Sequence, residues 1–311
     1  MKTAFLFPGQ GAQTVGMGAD IAQAYPVAAT LFDRANDILG FDLKRICFEG
    51  PAEKLNSTTI SQPAIFVTSA ALLEILRTYP ATAGLKPDVT AGLSMGEYTA
   101  LYAAGAMDFE DGLRLVRKRG EAMQTAAEAT QGTMVSIIGL EEDQVRQLCE
   151  EARQGELLEP VNFNCPGQIV VSGSLGACAR ALELAPRHGA VKAVQLEVAG
   201  GFHTSLMGSA AEALHQALLQ ARISQPAAAP TIANINAEYY RTTDEVVSGL
   251  TRQLTGAILW HKCMDRLLAD GIEEFYEIGP GRVLTGLMKR INRRTKITNV
   301  SDLASVKALI G

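Results

Sequence analysis

Asp88-Val89-Thr90-Ala91-Gly92-Leu93-Ser94-Met95-Gly96-Glu97-Tyr98-Thr99-Ala100-Leu101 runs from a short apolar strand through G-x-S-x-G into a helix. Small residues on both sides of a serine permit a tight strand-to-helix turn. Such a turn pushes the hydroxyl out of the sheet and sets it at a helix N-terminus. That is the setting of a nucleophilic serine, although a glycine-rich turn with a capping serine fits the same five residues. On the N-terminal side, residues 3–7 read as a buried strand closed by Pro8-Gly9-Gln10-Gly11, and 59–79 as a helix with an apolar stripe. On the C-terminal side, 95–104 and 109–125 read as helices, the second capped by Asp108. Strand and helix alternating through short turns predict an α/β fold with a mainly parallel sheet.

Past residue 128 the order becomes β-α-β-β-α-β. Strands are expected at 133–138, 159–164, 168–172 and 191–196, and helices at 141–153 and 175–186. Cys165-Pro166-Gly167 supplies the turn between the middle strands. This is the order of a ferredoxin-like unit. Residues 128–198 are therefore expected to form a small subdomain inserted into a large domain of 1–127 and 199–311. Helices at 205–221 and 244–255, a strand at 273–278 and a basic helix at 283–293 complete the chain.

At 311 residues, 47% hydrophobic and 20% charged, the chain can bury a large core without disulfides or metals. Its five scattered cysteines contain no C-x-x-C, which fits a reducing cytoplasm and gives no zinc spacing. No stretch reads as a membrane span of about 20 apolar residues. A net charge of −5 argues against nucleic acid or anionic membrane as partner, and a monomer is expected. Residues 281–296 run against that balance, with Arg282, Lys289, Arg290, Arg293, Arg294 and Lys296 and no acidic residue. They suit either docking of an acidic partner or a solvated helix end that complements its own dipole.

A serine nucleophile needs a base, and there are four histidines. His188 lies in a polar turn, His215 within an amphipathic helix and His261 near a helix start. His203, in Gly200-Gly201-Phe202-His203-Thr204-Ser205, has glycines that allow close approach and a helix just beyond it, and is the favoured base. Arg119 is the other unusual residue. Leu115, Val116, Ala122 and Met123 share its helix face, so its guanidinium projects from an apolar stripe and needs an anion. A structural salt bridge or a substrate carboxylate would meet that need.

These motifs together resemble the malonyl-CoA:acyl carrier protein transacylases, over nearly the whole chain and in order. The matching stretches are Phe5-Leu6-Phe7-Pro8-Gly9-Gln10-Gly11-Ala12-Gln13, Gly92 to Leu101, Arg119-Gly120 with Met123-Gln124, Asn162 to Gln168, Gly201-Phe202-His203 with Leu206-Met207, and Tyr276 to Leu287. The resemblance implies that Ser94 carries the malonyl group as an ester and that His203 is general base and then acid. It places the oxyanion between the backbone N–H groups of Met95 and Gln10, and the malonyl carboxylate on Arg119. Backbone near Gln253 would orient His203. Phe202, Leu93 and Met123 would line the acyl pocket, and Lys289, Arg290, Arg293 and Arg294 would help dock acyl carrier protein. Malonyl-CoA would be the substrate and the carrier would bring the phosphopantetheine arm, with no bound cofactor and no metal. Leu93 departs from the histidine usual before the serine, and Gly256-Ala257 from the usual asparagine and proline. A serine hydrolase, with His261 and Asp244 as its late histidine and acid, and a noncatalytic carrier-docking module are the competing expectations.

Overall fold

The chain, described from Met1 to Gly311 in a computed structural model, opens with β1 (Lys2–Phe7), buried from Thr3 onward. Four helices follow: α1 (Ala19–Ala24), α2 (Pro26–Leu39), α3 (Leu43–Glu49) and α4 (Ala52–Asn56). Pro26 starts α2 and a left-handed Gly40 ends it, while the Asp42 side chain caps α3 by accepting from the Arg45 N–H. α5 (Thr58–Thr78) is apolar around most of its surface and buried along nearly its whole length. Contrary to the sequence expectation, it is long and apolar enough to cross a membrane, yet 83% of that window is buried inside the fold. A helix that is hydrophobic all round suits the centre of a large core.

β2 (Val89–Gly92) leads through the serine turn into α6 (Gly96–Ala103), and α7 (Phe109–Ala129) follows with Asp108 as its cap. Next come β3 (Gly132–Ile138), α8 (Glu142–Arg153), β4 (Leu158–Cys165), β5 (Gln168–Ser174), α9 (Leu175–Leu184) and β6 (Lys192–Gln195). A 3-10 turn at Ser205–Met207 precedes α10 (Gly208–Gln220), so the helix expected at 205–221 starts as a tighter turn. α11 (Thr243–Gln253), α12 (Trp260–Ala269), β7 (Ile272–Ile278), α13 (Val283–Ile291), β8 (Lys296–Val300) and α14 (Leu303–Ile310) complete the chain. α13 stops two residues short of its expected end. Arg293 and Arg294 therefore lie in the turn before β8.

Two four-stranded sheets result. The first has the order β2-β1-β7-β8 and is parallel throughout. The second has the order β4-β5-β3-β6 and is antiparallel throughout. In the second sheet the side chains alternate as the pleat demands. Val135, Ile137 and Val171 pack with α8 and α9, whereas Met134 and Val170 join the core of the first sheet. A cleft of about 560 Å³ separates the two halves, with Met134, Val170, Asn162, Asn164 and Gln168 on one wall and Gln10, Leu93, Ser94 and Arg119 on the other.

Register positions the serine turn. Phe7 pairs with Gly92, so the loop after β1 leaves the sheet beside the loop after β2. The Leu93 N–H donates to the Phe7 carbonyl at 3.0 Å. The turn closes only with glycine at its ends. A Cβ on Gly92 would sit 2.0 Å from the Gly96 carbonyl, and one on Gly96 would sit 2.2 Å from the Phe7 carbonyl. Both obstacles are backbone and cannot move aside. Gly96→Ala is therefore expected to lower stability by about 3 kcal/mol, read as a fall in Tm by circular dichroism; an unchanged Tm would show that the turn is looser than this packing implies.

Candidate active site

Ser94 and His203 both occupy the left-handed region, at φ 52° and 63°, where side chains other than glycine are uncommon. Only two other non-glycine residues in the chain do so. Each strained residue is held by neighbours. The Ser94 N–H donates to Asn234 Oδ1 at 2.7 Å, and the Ser94 carbonyl accepts from Gln253 Nε2 at 3.1 Å. Asn234 is itself fixed by donating from Nδ2 to the Gly92 carbonyl at 2.8 Å. It comes alongside because the segment at Thr231 bridges Thr90 of β2 in parallel. Strain sustained in this way concentrates at functional sites.

The serine and histidine meet across the sequence. Ser94 Oγ lies 3.0 Å from His203 Nε2, and His203 Nδ1 lies 2.7 Å from the backbone carbonyl of Gln253. A carbonyl can only accept, so Nδ1 carries the proton and Nε2 presents its lone pair to the serine hydroxyl. A peptide oxygen thus takes the place of the triad acid. Burial and then the charge of Arg119 push the imidazole down to about 3, with the Gln253 carbonyl opposing them. His203 is therefore neutral and able to accept a proton over the ordinary working range.

Arg119 is 1% exposed and no carboxylate lies within ion-pairing distance of it, which removes the structural salt bridge as the reason for its burial. Its acceptors are neutral. Nη1 donates to Gln62 Oε1, and Nη2 to Gln253 Oε1 and to Ser94 Oγ, each at 3.0 Å. The Ser94 hydroxyl thus accepts from a cation while donating to His203, a pairing that favours loss of its proton. Arg119 Nε has no acceptor in the protein. The guanidinium is a buried donor fork without its anion.

The remaining expected residues fall into place around this core. Met95 is the N-cap of α6, and neither its N–H nor that of Gln10 donates to any acceptor in the protein. Phe202 and Met123, both nearly fully buried, line the cleft with Leu93, whose side chain also packs against the apolar cluster of Trp260 and Leu267. Gln253 contributes more than its backbone, since its side-chain amide touches Arg119, Ser94 and Glu97. The basic segment divides. Lys289 donates to the Thr295 carbonyl and Arg290 to Gln168 and the Pro166 and Gly167 carbonyls, so these two tie down their own surroundings. Arg293 and Arg294 are exposed and form no ion pair. Of the other histidines, His188 pairs with Glu151, His215 meets Thr251 and His261 pairs with Asp265. Asp244 is exposed in the first turn of α11, so no Asp244–His261 pair serves Ser94.

Four functional neighbours went unread in the sequence. Glu97 sits inside the quoted motif but reads there as an ordinary first-turn acid, favourable at a helix N-terminus. It is fully buried and accepts from the Asn234 N–H at 2.9 Å, from Gln253 Nε2 at 3.0 Å and from the Tyr240 hydroxyl. Asn234 follows the apolar pair Ile232-Ala233, but Asn236 two residues on gives the same local signal. Gln62 and Tyr240 gave no local signal, because their partners come from distant segments.

Residues 4–308 match the acyl transferase domain family. A protein of Bacillus subtilis (strain 168) named malonyl CoA-acyl carrier protein transacylase is 42% identical over 310 residues, 99% of this chain and 96% of its own length. An acyl carrier protein S-malonyltransferase from Vibrio cholerae superposes with a TM-score of 0.94 at 40% identity, covering 99% of this chain and 100% of that one. A structure of a type II PKS acyl-carrier protein in complex with its malonyl-transacylase gives 0.94 at 37% identity, covering 100% and 99%. The chain belongs to the acyl transferase family and, within it, to the malonyl CoA-acyl carrier protein transacylases.

The depressed imidazole has a measurable consequence. Its folded-state value lies below the ordinary 6.5, so His203 takes up its proton more readily in the unfolded chain and folding loses stability as pH falls from about 6.5 toward 3. The His203 ring resonances in NMR should stay those of a neutral Nδ1–H imidazole from pH 8 down to about 5; titration between pH 6 and 7 would contradict this.

Proposed function

We propose that this chain moves a malonyl group from malonyl-CoA to the phosphopantetheine thiol of acyl carrier protein through a malonyl-Ser94 ester. The observation behind this reading is Arg119, a buried guanidinium beside the nucleophile with neutral partners only. A site for uncharged acyl groups has no use for it, and a malonyl carboxylate supplies the missing anion.

Ser94 Oγ attacks the thioester carbon while its proton passes to His203 Nε2. The oxyanion is met by the N–H groups of Met95 and Gln10, a contribution of about 3 kcal/mol for a well-placed donor. Collapse breaks the C–S bond, and His203 returns the proton to the departing CoA thiolate. The carrier thiol then gives its proton to His203, attacks the ester, and Ser94 leaves as an alcohol reprotonated by His203. The substrate carboxylate also offsets the Arg119 charge that depresses His203. Occupancy by the correct acyl group thereby makes the histidine a stronger base.

In this reading residues 1–127 and 199–311 form an α/β-hydrolase-like domain and 128–198 a ferredoxin-like subdomain that covers the nucleophile. The β4-β5-β3-β6 strand order supports the latter. Phe202 fills the space an α-methyl group would need, Leu93 and Met123 shape the acyl pocket, and the free cations Arg293 and Arg294 contact the acidic carrier. Five free, buried cysteines suit a cytoplasmic monomer.

Mass spectrometry after incubation with malonyl-CoA should find a malonyl adduct on Ser94 that vanishes in Ser94→Ala. Rapid release of free malonate without an adduct would instead mark a hydrolase. Arg119→Ala is expected to lower kcat/KM for malonyl-CoA about a hundredfold or more and to raise the preference for acetyl-CoA. Unchanged malonyl kinetics would overturn the clamp.

A further inference from the structure

Glu97 is a charged side chain in the core for which the transfer steps have no use. It is fully buried on α6, one turn beyond the nucleophile, and does not touch the cleft. Its nearest cation is Arg119, and a single amide stands between them. Gln253 Oε1 accepts from Arg119 Nη2 and Gln253 Nε2 donates to Glu97 Oε2, each at 3.0 Å. The two ends of that amide are not interchangeable, because the guanidinium can only donate and an ionised carboxylate can only accept. The chain is polarised in one direction, from carboxylate through amide to guanidinium, and both ends lie where water cannot screen them.

The other groups around Glu97 do not share its charge. Tyr240 and the Asn234 N–H face it from the segment after β2's neighbour at Thr231, Tyr98 is its neighbour on α6, and Cys263 approaches from α12. Burial holds the Tyr98, Tyr240 and Cys263 protons on well above neutral pH. Glu97 is different: burial pushes it up to about 7, against the hydrogen bonds of Tyr240, Asn234 and Gln253 and the charge of Arg119.

We infer that Glu97 sets the grip of Arg119 on the acyl carboxylate: an ionised Glu97 weakens the hold on a carboxylate-bearing group and a neutral Glu97 strengthens it. Glu97 is a specificity-determining residue acting through Gln253, outside contact with substrate. The inference rests on the malonyl reading above. Coupling between two sites is reciprocal. A malonyl carboxylate arriving at Arg119 therefore raises the proton affinity of Glu97, and loading of Ser94 takes up part of a proton. The sign follows from the charges. Where Glu97 is neutral, at lower pH, Arg119 has only the substrate as its anion; where Glu97 is ionised, at higher pH, the substrate shares the cation with it.

Glu97→Gln removes the charge and can keep every hydrogen bond. The amide oxygen accepts from the Asn234 N–H and Gln253 Nε2, and the amide NH₂ donates to the Tyr240 hydroxyl, which turns from donor to acceptor. The readout is the ratio of kcat/KM for malonyl-CoA to that for acetyl-CoA at pH 6 and 8.5. Titrations of coenzyme A and of the carrier are common to both donors and cancel in the ratio. In the unaltered protein the ratio should fall roughly five- to tenfold as pH rises across this range. In Glu97→Gln it should stay flat, at or above the value the unaltered protein shows at pH 6. Tyr240→Phe withdraws a donor from the ionised carboxylate and should move the step to higher pH, which keeps the inference testable if Glu97→Gln does not fold. A ratio that follows the same pH course in all three proteins, or a loss shared equally by both donors, would overturn the role. Absence of a malonyl-Ser94 adduct in the unaltered protein would overturn the malonyl reading itself, a separate result.

Discussion

A guanidinium that is 1% exposed must find acceptors inside the protein, and this requirement organises the rest of the site. Arg119 takes its acceptors from three directions: Gln62 on α5, Gln253 at the end of α11 and Ser94 after β2. Helices α5 and α7 must therefore pack closely, and Gly120 allows it, since a Cβ there would lie 2.7 Å from the Thr58 carbonyl. α11 must end where it does, because the same residue that feeds Arg119 from its side chain receives His203 Nδ1–H at its carbonyl. One residue thus links the Arg119 guanidinium to the His203 imidazole. The protein's hydrogen bonds offer the cation only dipoles, and the proposed malonyl carboxylate would supply the missing anion.

The second constraint is the backbone of Ser94. A left-handed serine is unfavourable alone, by about 1–2 kcal/mol, and it persists because Asn234 and Gln253 hold its two peptide groups. Glu97 in turn accepts from the Asn234 backbone N–H and from the Gln253 side-chain amide. The backbone geometry of Ser94 and the surroundings of Arg119, to which attack and acyl selection are assigned in the proposed mechanism, are therefore one network. A change at Asn234 or Gln253 should affect both, and its effects should not add with those of Arg119 substitutions.

Much of this was legible in the residues. The parallel sheet, the β-α-β-β-α-β order of elements and the G-x-S-x-G turn follow from alternation, glycine placement and apolar runs, all local signals. Arg119 was conspicuous because a cation on an apolar helical stripe contradicts its surroundings. Less was visible where the cause lies far along the chain. Helices α1, α3 and α4 are short and held by packing, whereas α2 carries a regular apolar face of Ala28, Leu31, Phe32, Ala35 and Leu39 that went unread. α5 reads in the sequence as a helix with one apolar stripe, yet it is buried on nearly all sides. The basic segment looked uniform, yet Lys289 and Arg290 answer to carbonyls in Thr295 and in the Pro166-Gly167 turn, which no spacing reveals. Asn234 and Glu97 are 137 residues apart and become partners only when the segment at Thr231 runs beside β2.

In the proposed mechanism a substrate carboxylate sits on Arg119 while the acyl carbon is bonded to Ser94. A crystal structure of the protein loaded with malonyl-CoA and trapped as the acyl-enzyme tests this most directly. The expected result is a malonyl ester on Ser94 Oγ, its free carboxylate paired with the Arg119 guanidinium, its carbonyl oxygen at the Met95 and Gln10 N–H groups, and the His203–Gln253 hydrogen bond intact. An ester on Ser94 whose carboxylate points away from Arg119, or an acyl group on any other residue, would contradict it.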